Sequence, residues 1–199
     1  MTSLRYLILS FLLIALPACS ANVTPQQKHF APEVSAAALD NQIYCETKEV
    51  QCDAGSQRTE WRTEIDAPPQ KVWAALTNYE NYPNLIPSAT SYKIVERNGN
   101  TLVIDTRGRR VIKLQGRVRY TEDPEHFILK WEKIKSNLNL NSGYWELTPI
   151  DRDGRTITQV YHYVYSAPNI IERAGNMTSH LEQDEIVMIT KIREIAKKQ

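Results

Sequence analysis

Between Ser91 and Ala167 six segments in succession alternate apolar with polar residues: SYKIVER, NTLVIDTRG, RVIKLQGRVRYTE, HFILKWEKIKS, GYWELTPID and RTITQVYHYVYSA. A two-residue period gives each segment one dry side and one wet side, so each reads as a β-strand. Asn98-Gly99, Asp123-Pro124 and Asp153-Gly154 supply turn chemistry between most of them, and turns this short join antiparallel neighbours without a helical crossover. After Ala167 the period changes. Ile170, Ala174, Met177, Leu181, Met188, Ile192 and Ile195 recur at helical spacing, which places them along one face of a long C-terminal helix.

Upstream, QRTEWRTEID adds one more alternating strand, with Trp61, Thr63 and Ile65 on one face. Asp66 is placed to cap a following helix, Pro68 and Pro69 suit its first turn, and Val72, Trp73, Ala75 and Leu76 give it an apolar side. Pro83 and Pro87 limit TNYENYPNLIPSA to a short second helix or bent connection. The expected fold is α+β, a curved antiparallel sheet of about seven strands around a long C-terminal helix, with two short helices after the first strand. It should occupy residues 57–199.

The first 56 residues read differently. Arg5 precedes the apolar run Tyr6 to Ala18; a spanning helix needs about 20 apolar residues, whereas a signal-peptide core needs about 7 to 15. Residues 1–18 are therefore expected to be a signal peptide. The tetrad Leu16-Pro17-Ala18-Cys19 resembles the lipobox of bacterial lipoproteins, although Pro17 stands where Ala or Ser is commoner. That resemblance makes Cys19 the lipidated first residue of the mature chain; an ordinary secretory signal with Cys19 near the cut is the alternative. Taking Cys19 from three cysteines leaves Cys45 and Cys52, a pair able to form a disulfide. Residues 19–56, with Pro25, Pro32 and an alanine cluster, read as a periplasmic spacer ending in that loop. The expected address is the bacterial cell envelope, lipid-anchored on the periplasmic side, with Ser20 favouring the outer membrane.

Lys and Arg number 24 against 23 Asp and Glu, and cleavage removes Arg5, so the mature chain is balanced. A neutral balance gives no nucleic-acid footprint. Metal-binding, Walker and GxSxG motifs are absent from the sequence, so no metal or cofactor is expected. His29, His126, His162 and His180 are scattered.

The stretch from Ile65 to Ile104, with Ala67-Pro68, Val72-Trp73, Leu76, Tyr79-Glu80, Tyr82-Pro83 and Ile86-Pro87, resembles the first strand and helices of START-like domains of the polyketide cyclase and coenzyme Q-binding superfamily. The stretch from Gly143 to Pro168 resembles their last two strands. The resemblance covers about residues 57–199 and implies the helix-grip fold, with an elongated apolar cavity between sheet and helix. Members bind lipids, sterols, polyketides, quinones or plant hormones, and many have no known catalysis.

On that fold the alternation nominates cavity residues. Leu114, Val118 and Tyr120 share the apolar face of one strand, Leu129 and Trp131 that of the next, and Trp145 follows on a third. Trp73 comes from the first helix, and Met177, Leu181 and Met188 come from the last. The opposite face of the Leu114 strand carries Lys113, Arg117 and Arg119; it is either a plain solvated face or, with Arg107, one that meets membrane phosphates. His162 is the leading general-base candidate, internal only if Tyr161, Tyr163 and Tyr165 face out. Asp184 or Glu185 interrupts the apolar stripe of the last helix and either faces the cavity or reaches solvent.

The reading these residues favour is a monomeric, membrane-tethered periplasmic module, not an enzyme, that binds or carries a hydrophobic small molecule such as a lipid, quinone or isoprenoid. A cyclase- or hydrolase-type enzyme using His162, Asp184 or tyrosines in the same cavity is the first rival. An envelope protein-interaction module is the second.

Overall fold

The computed structural model describes residues 42–50, 55–109 and 113–198. Cys19 and the signal and lipobox residues lie outside them, as do Cys52, Val111 and Ile112. The domain is α+β: one curved antiparallel sheet carries a long C-terminal helix on its inner face.

The sheet has eight strands rather than seven: β1 (Tyr44–Glu49), β2 (Gln57–Ile65), β3 (Ala89–Asn98), β4 (Thr101–Arg109), β5 (Lys113–Asp123), β6 (Ile128–Ser136), β7 (Leu140–Arg152) and β8 (Arg155–Ser166). Their order is β1-β2-β8-β7-β6-β5-β4-β3. The six alternating segments form the meander β3 to β8, and β2 closes against β8 from Gln57↔Ser166 to Ile65↔Thr158.

The extra strand lies in the stretch read as a spacer, so the sheet begins at Tyr44 rather than at residue 57. Its alternation is real but faint. Tyr44, Glu46 and Lys48 are exposed, while the half-buried positions between them are Cys45 and Thr47, too small and polar to announce a core. Thr47 fixes this edge strand to the last helix by donating to Glu182 Oε1 at 2.8 Å. Its one hydrogen being spent there, Thr47 accepts from Thr59 of β2 at 2.9 Å.

Helix α1 (Pro69–Leu76) begins on two prolines and buries Val72, Ala75 and Leu76. Asp66 does not cap it. Pro68 occupies the N-cap position without a side-chain bond, and exposed Asp66 instead pairs with Arg155 at 3.4 Å. A 3-10 turn (Tyr79–Asn81) and α2 (Tyr82–Leu85) follow. The final helical repeat is broken in two: α3 (Ile170–Ala174) and α4 (Met177–Lys198). Asn176, at φ +56°, takes the left-handed conformation that ends a helix, which asparagine tolerates better than most residues. Ile170 therefore leaves the stripe and stands in solvent.

The core lies between the inner face of the sheet and α1 and α4. Trp61, Ile65, Leu129, Leu147 and Val160 meet Leu76, Ile189 and Ile192, all essentially without solvent contact. This packed half leaves the α2 side of the inner face to be built otherwise.

Candidate functional site

Three strands bring three rings into line. Trp61 on β2, His162 on β8 and Trp145 on β7 are cross-strand partners at one level of the inner face. The imidazole lies nearly parallel between the indoles, with centroids 4.9 Å from Trp61 and 3.8 Å from Trp145. The alternation of β8 thus turns Val160, His162 and Val164 inward. Tyr161 and Tyr163 are on the other face, with Tyr144 and the guanidinium groups of Arg58 and Arg62.

His162 is 1% exposed. Its Nδ1 lies 2.9 Å from the carbonyl oxygen of Tyr144; a carbonyl only accepts, so Nδ1 carries a hydrogen. Nε2 then faces α4, 3.2 Å from Glu185 Oε2, close but not aligned as a hydrogen bond. With a second proton on Nε2, ring and carboxylate form an ion pair that ties sheet to helix.

Asp184, one residue earlier, is also turned inward and accepts a 2.5 Å hydrogen bond from Ser88 Oγ. Tyr82 of α2, Tyr92 of β3 and Tyr120 of β5 complete this end. The Tyr82 and Tyr92 rings are 4.8 Å apart, the Tyr120 and Tyr92 hydroxyls share a hydrogen bond, and Tyr82 donates to the Leu76 carbonyl at 2.8 Å. Burial pushes all three phenols above their ordinary range, and the Glu185 carboxylate pushes the same way. They therefore remain neutral hydroxyls beside two carboxyl groups.

Between this polar end and the sheet lies a cavity of about 190 Å³. Its wall is mainly apolar, and exposed Arg107 and Gln115 mark its mouth. Trp131 forms part of the wall because β7 has glycine opposite it: a Cβ on Gly143 would stand 2.1 Å from the indole nitrogen. Only a residue without a side chain lets the ring lie there.

Of the residues nominated from sequence, Leu114, Val118, Tyr120, Trp131, Trp145, Leu181, Met188 and Asp184 line this cavity. Two do not. Trp73 is carried by α1 to the packed half of the domain, where it meets Phe127 edge-on at 6.0 Å. Leu129 is on the inner face but wholly buried in that same core. The side chain of Met177 lies outside the described residues. His162 sits behind the wall, reaching the cavity only through Glu185 and Trp145. On the outer face of β5, Arg117 and Arg119 are engaged by Asp105 and Glu132.

Sequence reasoning passed over Tyr82, Tyr92, Ser88 and Glu172. The first three come from the proline-rich bend and the strand after it, where no period marks a face. Glu172, 7% exposed, had a signal: it stands three residues after Asn169, the spacing of a capping box, and the box is formed. Its carboxylate also accepts from the backbone and side-chain nitrogens of Asn139 at 2.9 and 3.0 Å. Cys45 is a free thiol whose pKa is pushed up to about 11 by burial and by Glu182; Cys52, its expected disulfide partner, lies outside the described residues. Among the described residues no cluster of metal-ligating side chains occurs, and no helix is long and apolar enough to cross a membrane.

A grip-shaped sheet, a helix on its concave side and a cavity between them have a family counterpart. The family model for polyketide cyclase / dehydrase and lipid transport proteins matches residues 44–182, from the first residue of β1 into α4. The chain belongs to this family. Within the polyketide cyclase / dehydrase and lipid transport family, the match includes β1, consistent with its place in the sheet.

Solved structures share the fold. The Zhui aromatase/cyclase from Streptomyces sp. R1128 is similar with a TM-score of 0.64 at 14% identity, over 72% of this chain and 94% of that one. A protein from Thermus thermophilus gives 0.60 at 14% identity, over 71% and 97%. Ara h 8.0201 gives 0.53 at 18% identity, over 73% and 100%. No curated protein matches in sequence. The family and fold are those of a hydrophobic-ligand-binding helix-grip domain.

Proposed function

We propose that this protein is a membrane-tethered periplasmic binding or carrier module for a hydrophobic small molecule, held between sheet and α4 and anchored through a lipidated Cys19. The observation that carries this reading is the cavity itself: an apolar wall built at the expense of a side chain at Gly143, and a polar end of phenols and carboxyl groups. Its volume of about 190 Å³ is somewhat above the roughly 150 Å³ of an engineered cavity that takes benzene. It suits a ring or a chain segment, with the rest of a lipid, quinone or isoprenoid leaving by the mouth. Asp184 and Glu185 favour a ligand whose inner end donates hydrogen bonds, such as a hydroxylated ring.

Mass spectrometry of molecules extracted from native protein tests the reading. An apolar ligand should be recovered, and Leu181→Trp, which fills the cavity, should abolish its uptake while the fold persists. Recovery of nothing apolar, together with no uptake of fluorescent lipid, sinks it. The anchor is tested separately: labelled fatty acid should be incorporated in cells and lost in Cys19→Ala.

A second reading has one observation in its favour. Glu185, backed by His162 and beside three neutral phenols, is a candidate proton acceptor at the closed end of the cavity, as a cyclase-type enzyme needs. Recovery of a ligand chemically unchanged after incubation with the protein favours the carrier; a cyclised or dehydrated product favours the enzyme.

A further inference from the structure

Ile170 and Ile171 are 82% and 78% exposed. They stand side by side at the start of α3, flanked by two residues that line the cavity, Pro168 and Glu172. The pair is held firmly in water. Asn169 and Glu172 close a capping box around it, and Glu172 binds Asn139 in the β6–β7 loop. In the same loop, Asn137 donates to the Lys113 carbonyl at 2.8 Å and accepts from the Gln115 amide at 3.0 Å. Helix α3, this loop and the start of β5 therefore form one continuous rim at the mouth. Single exposed apolar residues are ordinary, but two adjacent, nearly bare isoleucines fixed on a cavity rim are not explained by the fold.

The rim is also basic. Arg107 and Arg109 end β4 and Lys113 opens β5, all exposed. Among the described residues none of these three has a carboxylate within ion-pair distance; Asp105, whose carboxyl Arg107 helps to hold down, is bonded to Arg117, which like the Glu132-bound Arg119 lies farther from the rim. Apolar side chains framed by exposed cations outside any ion pair match the interface of an anionic bilayer, where isoleucine enters the acyl boundary and cations meet phosphates. A protein surface of mixed charge would instead be met by a mixed rim.

The geometry points to this rim as a docking surface for an anionic lipid bilayer, through which ligand passes between membrane and cavity without crossing water. The ligand's part rests on the carrier reading above; the docking does not.

Hydrogen exchange of the full chain, with and without phosphatidylglycerol-containing vesicles, reads docking at the rim whatever the N-terminal segment does. Exchange in residues 168–176 should slow several-fold on vesicles, while β2 and β8 stay unchanged. Ile170→Ser with Ile171→Ser should remove that protection, and so should the surface changes Arg109→Glu with Lys113→Glu. Transfer of fluorescent lipid out of vesicles should then fall about tenfold or more, with uptake from vesicle-free solution retained. Absence of protection on anionic vesicles overturns the proposal. Equal protection on purely zwitterionic vesicles also overturns it, as does protection that grows with protein concentration without vesicles, which would assign the rim to a second copy of the chain. Protection at the rim with no lipid uptake by any form would sink the carrier reading and leave the docking surface standing.

Discussion

His162 on β8 and Glu185 on α4 meet at 3.2 Å across the inner face, with the imidazole clasped between Trp61 and Trp145. The pair is thus both a packing element and a polar contact, and the two roles separate on mutation. His162→Ala empties a slot between two indoles and should cost about 2–4 kcal/mol in urea denaturation. Glu185→Gln keeps the shape, and its amide can donate to Nε2, so it should cost under about 1 kcal/mol. A larger loss in the glutamine variant than in the alanine one would contradict this assignment.

Gly143→Ala puts a methyl group where the Trp131 indole lies. The ring must move off the cavity wall, at a cost of about 1–3 kcal/mol, visible in thermal denaturation and near-ultraviolet circular dichroism. Adding Trp131→Ala should make the glycine substitution nearly neutral. Additive losses in the double variant would show that the contact is not the cause.

Glu172→Ala removes an acceptor from three nitrogens, those of Asn139 and the Asn169 amide. A loss of about 2–4 kcal/mol is expected from the broken cap and the abandoned donors. Hydrogen exchange at residues 137–140 should quicken, and a bound ligand should dissociate faster as the rim loosens.

The phenols of Tyr79, Tyr82, Tyr92 and Tyr120 are all held above the ordinary tyrosine range, burial being the largest cause in each. The native state keeps protons that the unfolded chain releases from about pH 10 upward. Their stabilising contribution is complete below that pH and declines as pH rises above it. Thermal midpoints should therefore fall in alkali, and these four of the ten tyrosines should show tyrosinate absorbance only on unfolding.

The meander was legible because β3 to β8 combine alternation with recognisable turns, and the two tryptophans placed inside, Trp131 and Trp145, follow from it. The orientation of β8 was not. Val160, His162 and Val164 compete with three tyrosines, and either set could be dry on pattern alone; the outcome depends on Trp61 and Trp145 arriving from neighbouring strands. Asp184 and Glu185 stood out as a gap in the apolar stripe, but their direction stayed open for a related reason, since a helical stripe does not tell that Ser88 and His162 wait opposite. Strand β1 was hidden by its composition, its inward positions being cysteine and threonine. The break between α3 and α4 had a local sign in Gly175-Asn176, but the regular spacing of Ile170 and Ala174 with the later residues masked it.

Strand β1 has a mechanical consequence. It is the first described strand, and any pull on the chain before Gln42 reaches it first. Its six pairings with β2 and the Thr47 bond to Glu182 would carry that load. Should they part, β2 remains zipped to β8 along nine residue pairs, so the edge can yield like a seam while the vessel behind it stays closed.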